Sequence, residues 1–471
     1  MTIQFETIPG GIRTPGKYLE YNNKLAVRTL PANEQKLLIV GQKTSAGPAA
    51  ALTPVQVVSD QQAAELFGPG SIAHLMVAAA VAANPYLDLT VVPQADAAES
   101  SKAGGSFAVA GPATGAGTLR IGIGSKLLEI AVAANDSATA IAAAIAAAIP
   151  AGSSLPVTAT ADSGTVTITA KNAGTLGNLI TLSCEKIGAA GVTVTVTQPT
   201  GGATDPDISL ALATVTAKQF HKIVSPLSAQ TPLTALRTHL ASVSDYRNQK
   251  PGIGVYGYNA VLADAVTLAG QLNGERLVCA YLRGSKSLPC EIAASMAAVM
   301  ASETDPARPL NSLELKGLDV PALSSRFSGT EVENLLHNGI TPLEVGPGEK
   351  VQIVRAITTY TVNAAGAADV SYLDVTTITT LDYLREACRT RMALRFPREK
   401  LFTRKLEDIR LELYDVLKKC EELEIVEAVD ENKDALIVER SETSVNQVNA
   451  AIPADVVNGL HVFAGRIDLL L

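Results

Sequence analysis

The chain has 471 residues, more than a single hydrophobic core usually supports, so about three domains are expected. Hydrophobic residues make up 47% of it and charged residues 18%, but aromatic residues only 4%, with no Trp, so its cores must be built from Ala, Val, Leu and Ile. The net charge of −8 argues against a surface that neutralises phosphates, and no nucleic-acid partner is expected.

The N-terminal region, residues 1–34, is interpreted as an extended arm. It is rich in Pro and Gly and holds only one short strand-like piece, residues 17–21, so it cannot form a core by itself. Its first ten residues lack the basic and apolar regions of a secretory signal, and secretion by that route is not expected.

Residues 35–94 are predicted to form the first part of a core domain. A short apolar run at 36–41 is typical of a buried strand. Ser59 is expected to cap a helix that ends at Phe67, and a second helix over 71–83 is followed by a strand at 87–92. The Ala-rich helix is shorter than the roughly 20 apolar residues of a membrane span, so no membrane insertion is expected.

Residues 95–204 are predicted to be an inserted small α+β module, because the composition shifts to Gly, Ala, Thr and Val. Apolar residues and Thr alternate at 157–161, 165–169 and 192–197, as in half-buried strands. One helix, capped by Asp136 or Ser137, interrupts these strands.

Residues 205–348 are predicted to form the second part of the core domain. Strand-like runs at 221–226, 253–258, 276–282 and 340–345 alternate with helical patterns at 232–243, 259–272 and 290–302. This order predicts an α/β core, a mainly parallel sheet with flanking helices.

The pattern changes again at residues 349–455, which are predicted to form an α+β C-terminal domain. A strand at 351–358 is expected to lead to a helix over 379–396, and a densely charged helix follows at 406–423. Residues 385–405 hold eight basic and two acidic residues. They form either a helix face in ion pairs with the charged second helix or a contact surface for an acidic partner, and the residues alone leave both open.

Residues 456–471 are interpreted as a C-terminal arm strand. Phe463, Ile467 and Leu469 alternate onto one face of it, while Arg466 and Asp468 lie on the other. Such an apolar strand either pairs inside its own domain or adds to the sheet of a neighbour, and both remain open.

No motif of catalysis or cofactor binding withstands inspection. Residues 11–18 nearly spell a P-loop, but Tyr18 stands where Ser or Thr would hold magnesium. Residues 252–257 match G-x-G-x-x-G, but no strand precedes them, so these glycines are expected to lie within a strand. The five cysteines form no C-x-x-C pair and the five histidines have no ligand spacing, so no cofactor, no metal and no enzymatic activity are predicted.

The order of these segments resembles the tail sheath proteins of contractile phages, especially the Mu-like group, over essentially the whole chain. The resemblance is carried by residues 10–20 (GGIRTPGKYLE), residues 37–41 (LLIVG), the Thr- and Ala-rich insertion, residues 372–384 (YLDVTTITTLDYL) and the hydrophobic C-terminal strand. It implies a structural subunit that polymerises as stacked hexameric rings around a tail tube and contracts to drive the tube through the host cell envelope.

The resemblance also implies partners and a location. The expected partners are copies of the chain itself, the tail tube protein, and the baseplate and tail terminator proteins; the expected location is the virion tail, assembled in the host bacterial cytoplasm. Both termini of the family reach into adjacent subunits and complete a shared sheet, which favours strand exchange here. The implied subunit-interface residues are Lys17, Tyr18, Leu19, Glu20, Tyr21, Val462, Phe463, Arg466, Ile467, Leu469 and Leu470.

In this family the C-terminal domain lies innermost, so the resemblance makes part of the basic stretch a candidate for contact with the tube. The residues concerned are Arg389, Arg391, Arg395, Arg398 and Lys400. The insertion would project outward, and the core would have a subtilisin-like topology without implying protease activity. The alternative interpretation is an extracellular adhesin or surface-array protein, suggested by the Thr- and Val-rich strands, with an enzyme carrying a decorative β-module third.

Overall fold

The computed structural model describes residues 14–19 and 30–469. Within them the chain divides into two compact units. The core unit comprises residues 33–380 and 458–469, and the C-terminal unit comprises residues 14–19, 30–32 and 381–457. Both units mix helices and strands, which confirms the predicted mixed α/β class.

The first part of the core unit forms where the sequence predicts. Ser59 and Ser71 cap its two helices, each side chain accepting a hydrogen bond from a backbone N–H of the first turn. The elements are β1 (Lys36–Gln42), β2 (Val55–Val57), α1 (Asp60–Phe67), α2 (Ile72–Ala83) and β3 (Asp88–Gln94).

The region predicted as an inserted module follows and forms two antiparallel sheets, with strand orders β10-β4-β8-β7 and β6-β5-β9. Ser137 caps its helix, whereas Asp136 accepts a hydrogen bond from Ala133 N instead. Its elements are β4 (Gly104–Ala110), β5 (Gly117–Ile123), β6 (Lys126–Val132), α3 (Ala138–Ala147), β7 (Val157–Asp162), β8 (Thr165–Ala170), β9 (Leu182–Gly188) and β10 (Thr193–Thr200).

The alternation of helix and strand then resumes. The next elements are α4 (Ile208–Ala213), β11 (Lys222–Val224), α5 (Gln230–Ser244), β12 (Ile253–Tyr258), α6 (Leu262–Leu272), β13 (Leu277–Tyr281), α7 (Pro289–Met300), α8 (Gly329–His337), β14 (Thr341–Gly346) and β15 (Lys350–Ile353). Together with β1, β2 and β3, these strands form one eight-stranded sheet of order β15-β14-β13-β12-β11-β1-β3-β2.

The interior strands of this sheet are parallel, and only the two edge strands run antiparallel to their neighbours. Strand β1 pairs with β3 from Lys36 to Gln42 and with β11 over Leu37 to Ile39. Because both of its edges and both of its faces are covered, its apolar residues are fully buried.

Glycines 254 and 257 lie within β12, as the sequence predicts for the G-x-G-x-x-G match. At Gly257 a Cβ atom would stand 2.0 Å from the Pro289 carbonyl oxygen, so the residue lets the sheet pack directly against the start of α7. These glycines therefore serve close packing.

Strand β15 corrects the predicted start of the C-terminal domain. The sequence predicts a strand at 351–358 inside that domain, but β15 ends at Ile353 and pairs antiparallel with β14 at the edge of the main sheet. Val351 and Ile353 are buried there, so residues 349–380 complete the core unit.

The C-terminal unit is built on two helices. Its elements are α9 (Val375–Arg395), which begins in the core unit, α10 (Thr403–Glu422), β16 (Val426–Glu427), β17 (Ile437–Arg440), β18 (Val448–Ala451) and β19 (Asp455–Val456). The strands form two separate two-stranded antiparallel sheets, β16-β19 and β17-β18. Leu384 and Cys388 of α9 pack with Leu413, Leu417 and Cys420 of α10 to form a small core. No helix in the described residues is long and apolar enough to cross a membrane.

Candidate assembly surfaces

The C-terminal segment, residues 458–469, is anchored to the core unit at its beginning. Gly459 lies against Pro309, where a Cβ atom would come within 2.5 Å of Cγ. His461 follows, with its Nδ1 atom 2.9 Å from Asn311 Nδ2. Because an amide nitrogen can only donate, Nδ1 of His461 accepts, and the neutral ring carries its proton on Nε2.

The anchoring residue His461 lies beside an ion pair formed by Asp374 and Arg355. Nε2 of His461 lies 3.6 Å from Asp374 Oδ1, and Asp374 is held by two hydrogen bonds from Arg355, of 2.9 and 2.7 Å. Burial and the charge of Arg355 lower the pKa of His461, against the opposing effect of Asp374. The docked ring is therefore favoured in its neutral form.

Beyond His461 the segment is solvent-exposed and forms no strand in the described residues. Arg466 donates to Asp468 at 2.6 Å. The apolar side chains of the segment are between 76% and 99% exposed, namely Leu460, Val462, Phe463, Ile467 and Leu469. Since no strand among the described residues pairs with this segment, nothing there supplies the hydrogen-bond ladder of the predicted arm strand.

The N-terminal piece is described only in part. Lys17, Tyr18 and Leu19 are exposed without regular structure, and the Tyr18 hydroxyl donates to Thr14 O at 3.0 Å. Glu20 and Tyr21 lie outside the described residues, as does Leu470 at the other end. An interface role for these residues stays a prediction.

The basic stretch of α9 divides into paired and exposed residues. Arg391 is only 3% exposed and bonds Glu412 at 3.0 Å and Asp415 at 2.6 Å. Arg395 bonds Glu412 at 2.8 Å. The structure therefore corrects the tube-facing assignment of Arg391 and Arg395, because their charges are already used between the two helices.

The carboxylates bonded to these arginines have lowered pKa values. Burial alone would raise the pKa of Glu412, but hydrogen bonds from Arg395 and Arg391 bring it below its ordinary value. Burial likewise opposes the effect of Arg391 and Lys419 on Asp415, whose pKa is also lowered. The cluster is fully ionised at neutral pH.

The other three candidate tube contacts are exposed. Arg389 pairs with Glu386 on its own helix. Arg398 and Lys400 form no ion pair in the described part of the chain. Of the five candidates, these three are the positions whose charge reaches solvent.

Polar groups elsewhere in the described residues do not form the pattern of a metal site. They include no group of three or more His, Cys, Asp or Glu that could hold a metal ion. His74 uses both ring nitrogens in structural bonds, from Gly70 N at 2.9 Å and to Asp60 at 2.8 Å. Burial raises the pKa of Cys279 to about 12, which makes it a poor nucleophile.

Comparison with known proteins shows which family the chain matches. Residues 201–359 match the central domain of phage tail sheath proteins, and residues 367–469 match the phage tail sheath C-terminal domain. The tail sheath protein of the Mu-like prophage FluMu of Haemophilus influenzae is 34% identical over 100% of both chains.

Solved structures share the fold. The sheath tail protein of Desulfitobacterium hafniense has a TM-score of 0.53 at 12% identity, covering 94% of this chain and 97% of that one. The sheath tail protein of Listeria innocua has a TM-score of 0.52 at 14% identity, covering 92% and 94%. A chain of the anti-feeding prophage baseplate has a TM-score of 0.52 at 13% identity, covering 98% and 100%. Since two family domains and a full-length relative agree, this chain belongs to the tail sheath proteins of contractile phages.

Proposed function

We propose that this sheath subunit polymerises as stacked hexameric rings around the tail tube and contracts to drive the tube through the host cell envelope. The observation that carries the proposal is the anchored but exposed C-terminal segment. It places five apolar side chains in water at the end of an otherwise well-packed unit. Burying a large aliphatic or aromatic side chain is favourable by about 1.5–3 kcal/mol, so this segment gains most when another molecule covers it.

A second copy of the chain is the proposed cover. The two-stranded sheets β16-β19 and β17-β18 each have two outer edges with no further strand among the described residues. A donated strand would complete such an edge through main-chain bonds, each contributing about 1 kcal/mol net. Because these bonds depend little on side-chain identity, the tether can persist while rigid units rotate, as contraction requires.

The proposal extends to the tube. Arg389, Arg398 and Lys400 remain the candidates for contact with an acidic tube surface, since their charges reach solvent. The tail tube, baseplate and terminator proteins are the proposed partners, and the virion tail is the proposed location. The insertion at residues 95–204, facing outward, belongs to the same proposal, as do the predicted domain boundaries other than the one at residue 349.

Electron microscopy of the purified protein tests polymerisation directly. The intact chain is expected to form long hollow tubes with sixfold symmetry. A variant that lacks residues 462–471 keeps the His461 anchor, so it should fold with an unchanged melting temperature but form no tubes. A chain that stays monomeric at high concentration, or a truncated one that builds normal tubes, would overturn the proposal.

A matched pair of substitutions separates main-chain pairing from side-chain packing. Ile467→Pro removes a backbone N–H and should prevent tube formation, because a ladder bond is lost. Ile467→Ala removes the same side chain but keeps the backbone, and tubes should still form with lower stability. Equal loss in both variants would argue against strand addition.

A further inference from the structure

A cavity of about 650 Å³ lies inside the core unit, where the first part of the core meets the inserted region. From the first part it is lined by Lys43, Thr44 and Ser45, among others. From the inserted region it is lined by Lys102 and Lys171. A ligand held there would touch both parts at once.

Lys171 gives this cavity its unusual character. Its side chain is more than nine-tenths buried, and its Nζ atom donates to the carbonyl oxygens of Pro69 at 2.9 Å and Ser153 at 2.6 Å. No carboxylate in the described residues lies within ion-pair distance of it. An ammonium has three hydrogens, so the two carbonyl contacts leave one N–H donor over and supply no formal negative charge.

The single carboxylate that lines the cavity is already occupied. One oxygen of Asp96 accepts from Gln42 and Asn172, each at 2.9 Å, and the other accepts from the backbone N of Ala173 at 3.0 Å. Asp96 therefore fastens the inserted region to the core through neutral donors, and in the described residues it forms no ion pair with a lysine.

The position of Lys171 is fixed by its neighbour. Asn172 accepts a hydrogen bond from Ile72 N at the start of α2, at 3.1 Å. Three lysines thus line the cavity beside one carboxylate. Burial lowers the pKa of Lys171 to about 8.

We propose that this cavity binds a small tetrahedral oxyanion, phosphate or sulfate, through Lys171, Lys102 and Lys43. Lys171 is the recognition group, since its buried charge gains most from a counter-ion. Lys102 and Lys43 attract the ligand, although Nζ of Lys43 also donates to Gly47 O at 2.7 Å. The Ser45 hydroxyl is a further donor, whereas that of Thr44 donates to Phe67 O. The cavity is larger than one oxyanion requires, so a phosphate monoester also fits.

Calorimetric titration of the full chain with sodium sulfate, against sodium chloride at equal ionic strength, tests the site. Sulfate should give saturable binding with one site per chain, and chloride should not. Parallel titrations with inorganic phosphate and with adenosine monophosphate distinguish a free anion from a phosphate monoester as the preferred ligand.

Variants locate the binding. Lys171→Met should weaken sulfate binding at least about tenfold, because it removes a charge-assisted bond. If that variant fails to fold, the double variant Lys43→Gln/Lys102→Gln, which leaves the buried lysine in place, is expected to lose about tenfold. Lys218→Gln, an exposed lysine outside the cavity, is the matched control and should bind as the unaltered chain does. The proposal fails if sulfate binds no better than chloride, or if the double variant keeps the original affinity.

Discussion

Strand β1 and the C-terminal segment have similar compositions but opposite surroundings. Both are short runs of mainly apolar residues; in β1 the polar residues stand at the two ends, whereas the C-terminal segment also has them between the apolar ones. In β1, Leu37 to Val40 are fully buried and pair with strands on both edges. In the C-terminal segment, Phe463 and Ile467 are almost fully exposed, with no strand alongside.

The difference shows that apolar sequence alone does not decide burial. A strand is buried where other main chains are available to satisfy its N–H and C=O groups. For β1 those partners, β3 and β11, come from the same chain. For the C-terminal segment the described residues supply none, and under the proposed function another copy of the chain does. Four measurements would break or sharpen this comparison.

The largest effect is expected in β1. Ile39→Ala should lower the free energy of unfolding by about 2–5 kcal/mol, because it opens a cavity in a fully buried strand. Urea denaturation followed by circular dichroism measures it. A loss below about 1 kcal/mol would mean that β1 is less tightly packed than its burial indicates.

A buried and an exposed arginine of α9 give a similar comparison in the C-terminal unit. Arg391→Met should lower the free energy of unfolding by about 1–3 kcal/mol, because Glu412 and Asp415 each lose a charged hydrogen bond inside the unit. Glu412 keeps Arg395 and Asp415 keeps Lys419, which limits the loss. The control is Arg389→Met on the exposed side of α9, for which a change within about 0.5 kcal/mol is expected.

A smaller effect should appear as a pH dependence of the free energy of unfolding. It is expected from His221, which lies beside the first residue of β1. Burial, with the charges of Lys222 and Lys36, lowers the pKa of His221 from 6.5 to about 4. Between these values the unfolded chain binds more protons, so the free energy of unfolding should fall as the pH is lowered from 6.5 towards 4. His221→Asn keeps an acceptor for the Lys36 N–H bond of 3.1 Å and should remove this part of the slope. Urea denaturation at a series of pH values measures this dependence for both proteins. If the free energy of unfolding changes equally with pH in both, His221 is not its source.

The smallest effect on the isolated chain belongs to the C-terminal segment. Ile467→Ala should change the free energy of unfolding of unassembled protein by no more than about 0.5 kcal/mol, since its side chain touches almost nothing. The same denaturation experiment, run below the concentration at which tubes form, measures it. A loss as large as that of Ile39→Ala would show that the segment packs within its own chain.

Local signals predicted much of the fold. The helix starts at Ser59 and Ser71 were readable because a hydroxyl residue precedes each apolar pattern. Strand β5, with two glycines among its apolar residues, was not predicted, since Gly weakens the alternation on which strand prediction depends. The placement of β15 in the C-terminal domain was wrong. Its position is decided by its pairing with β14, and local sequence does not show which strands pair.

The candidate surfaces were predictable to a similar degree. The apolar C-terminal run was visible in the sequence, but its exposure was not, because sequence cannot show whether a partner strand is present. The basic stretch was visible too, yet the ion pairs of Arg391 depend on the register between α9 and α10, which the sequence does not contain. The cavity at Lys171 gave no signal, since its lysines are far apart along the chain.

The anchor at Gly459 and His461 limits how far the C-terminal segment can reach. Eight residues follow it up to Leu469, and a fully extended chain of that length spans at most about 26–29 Å. A sheet that receives residues up to Leu469 must therefore lie within that radius of the anchor, and a strand tethered in this way has a local concentration in the millimolar range. Under the proposed strand exchange, the anchor would thus limit the distance between neighbouring subunits.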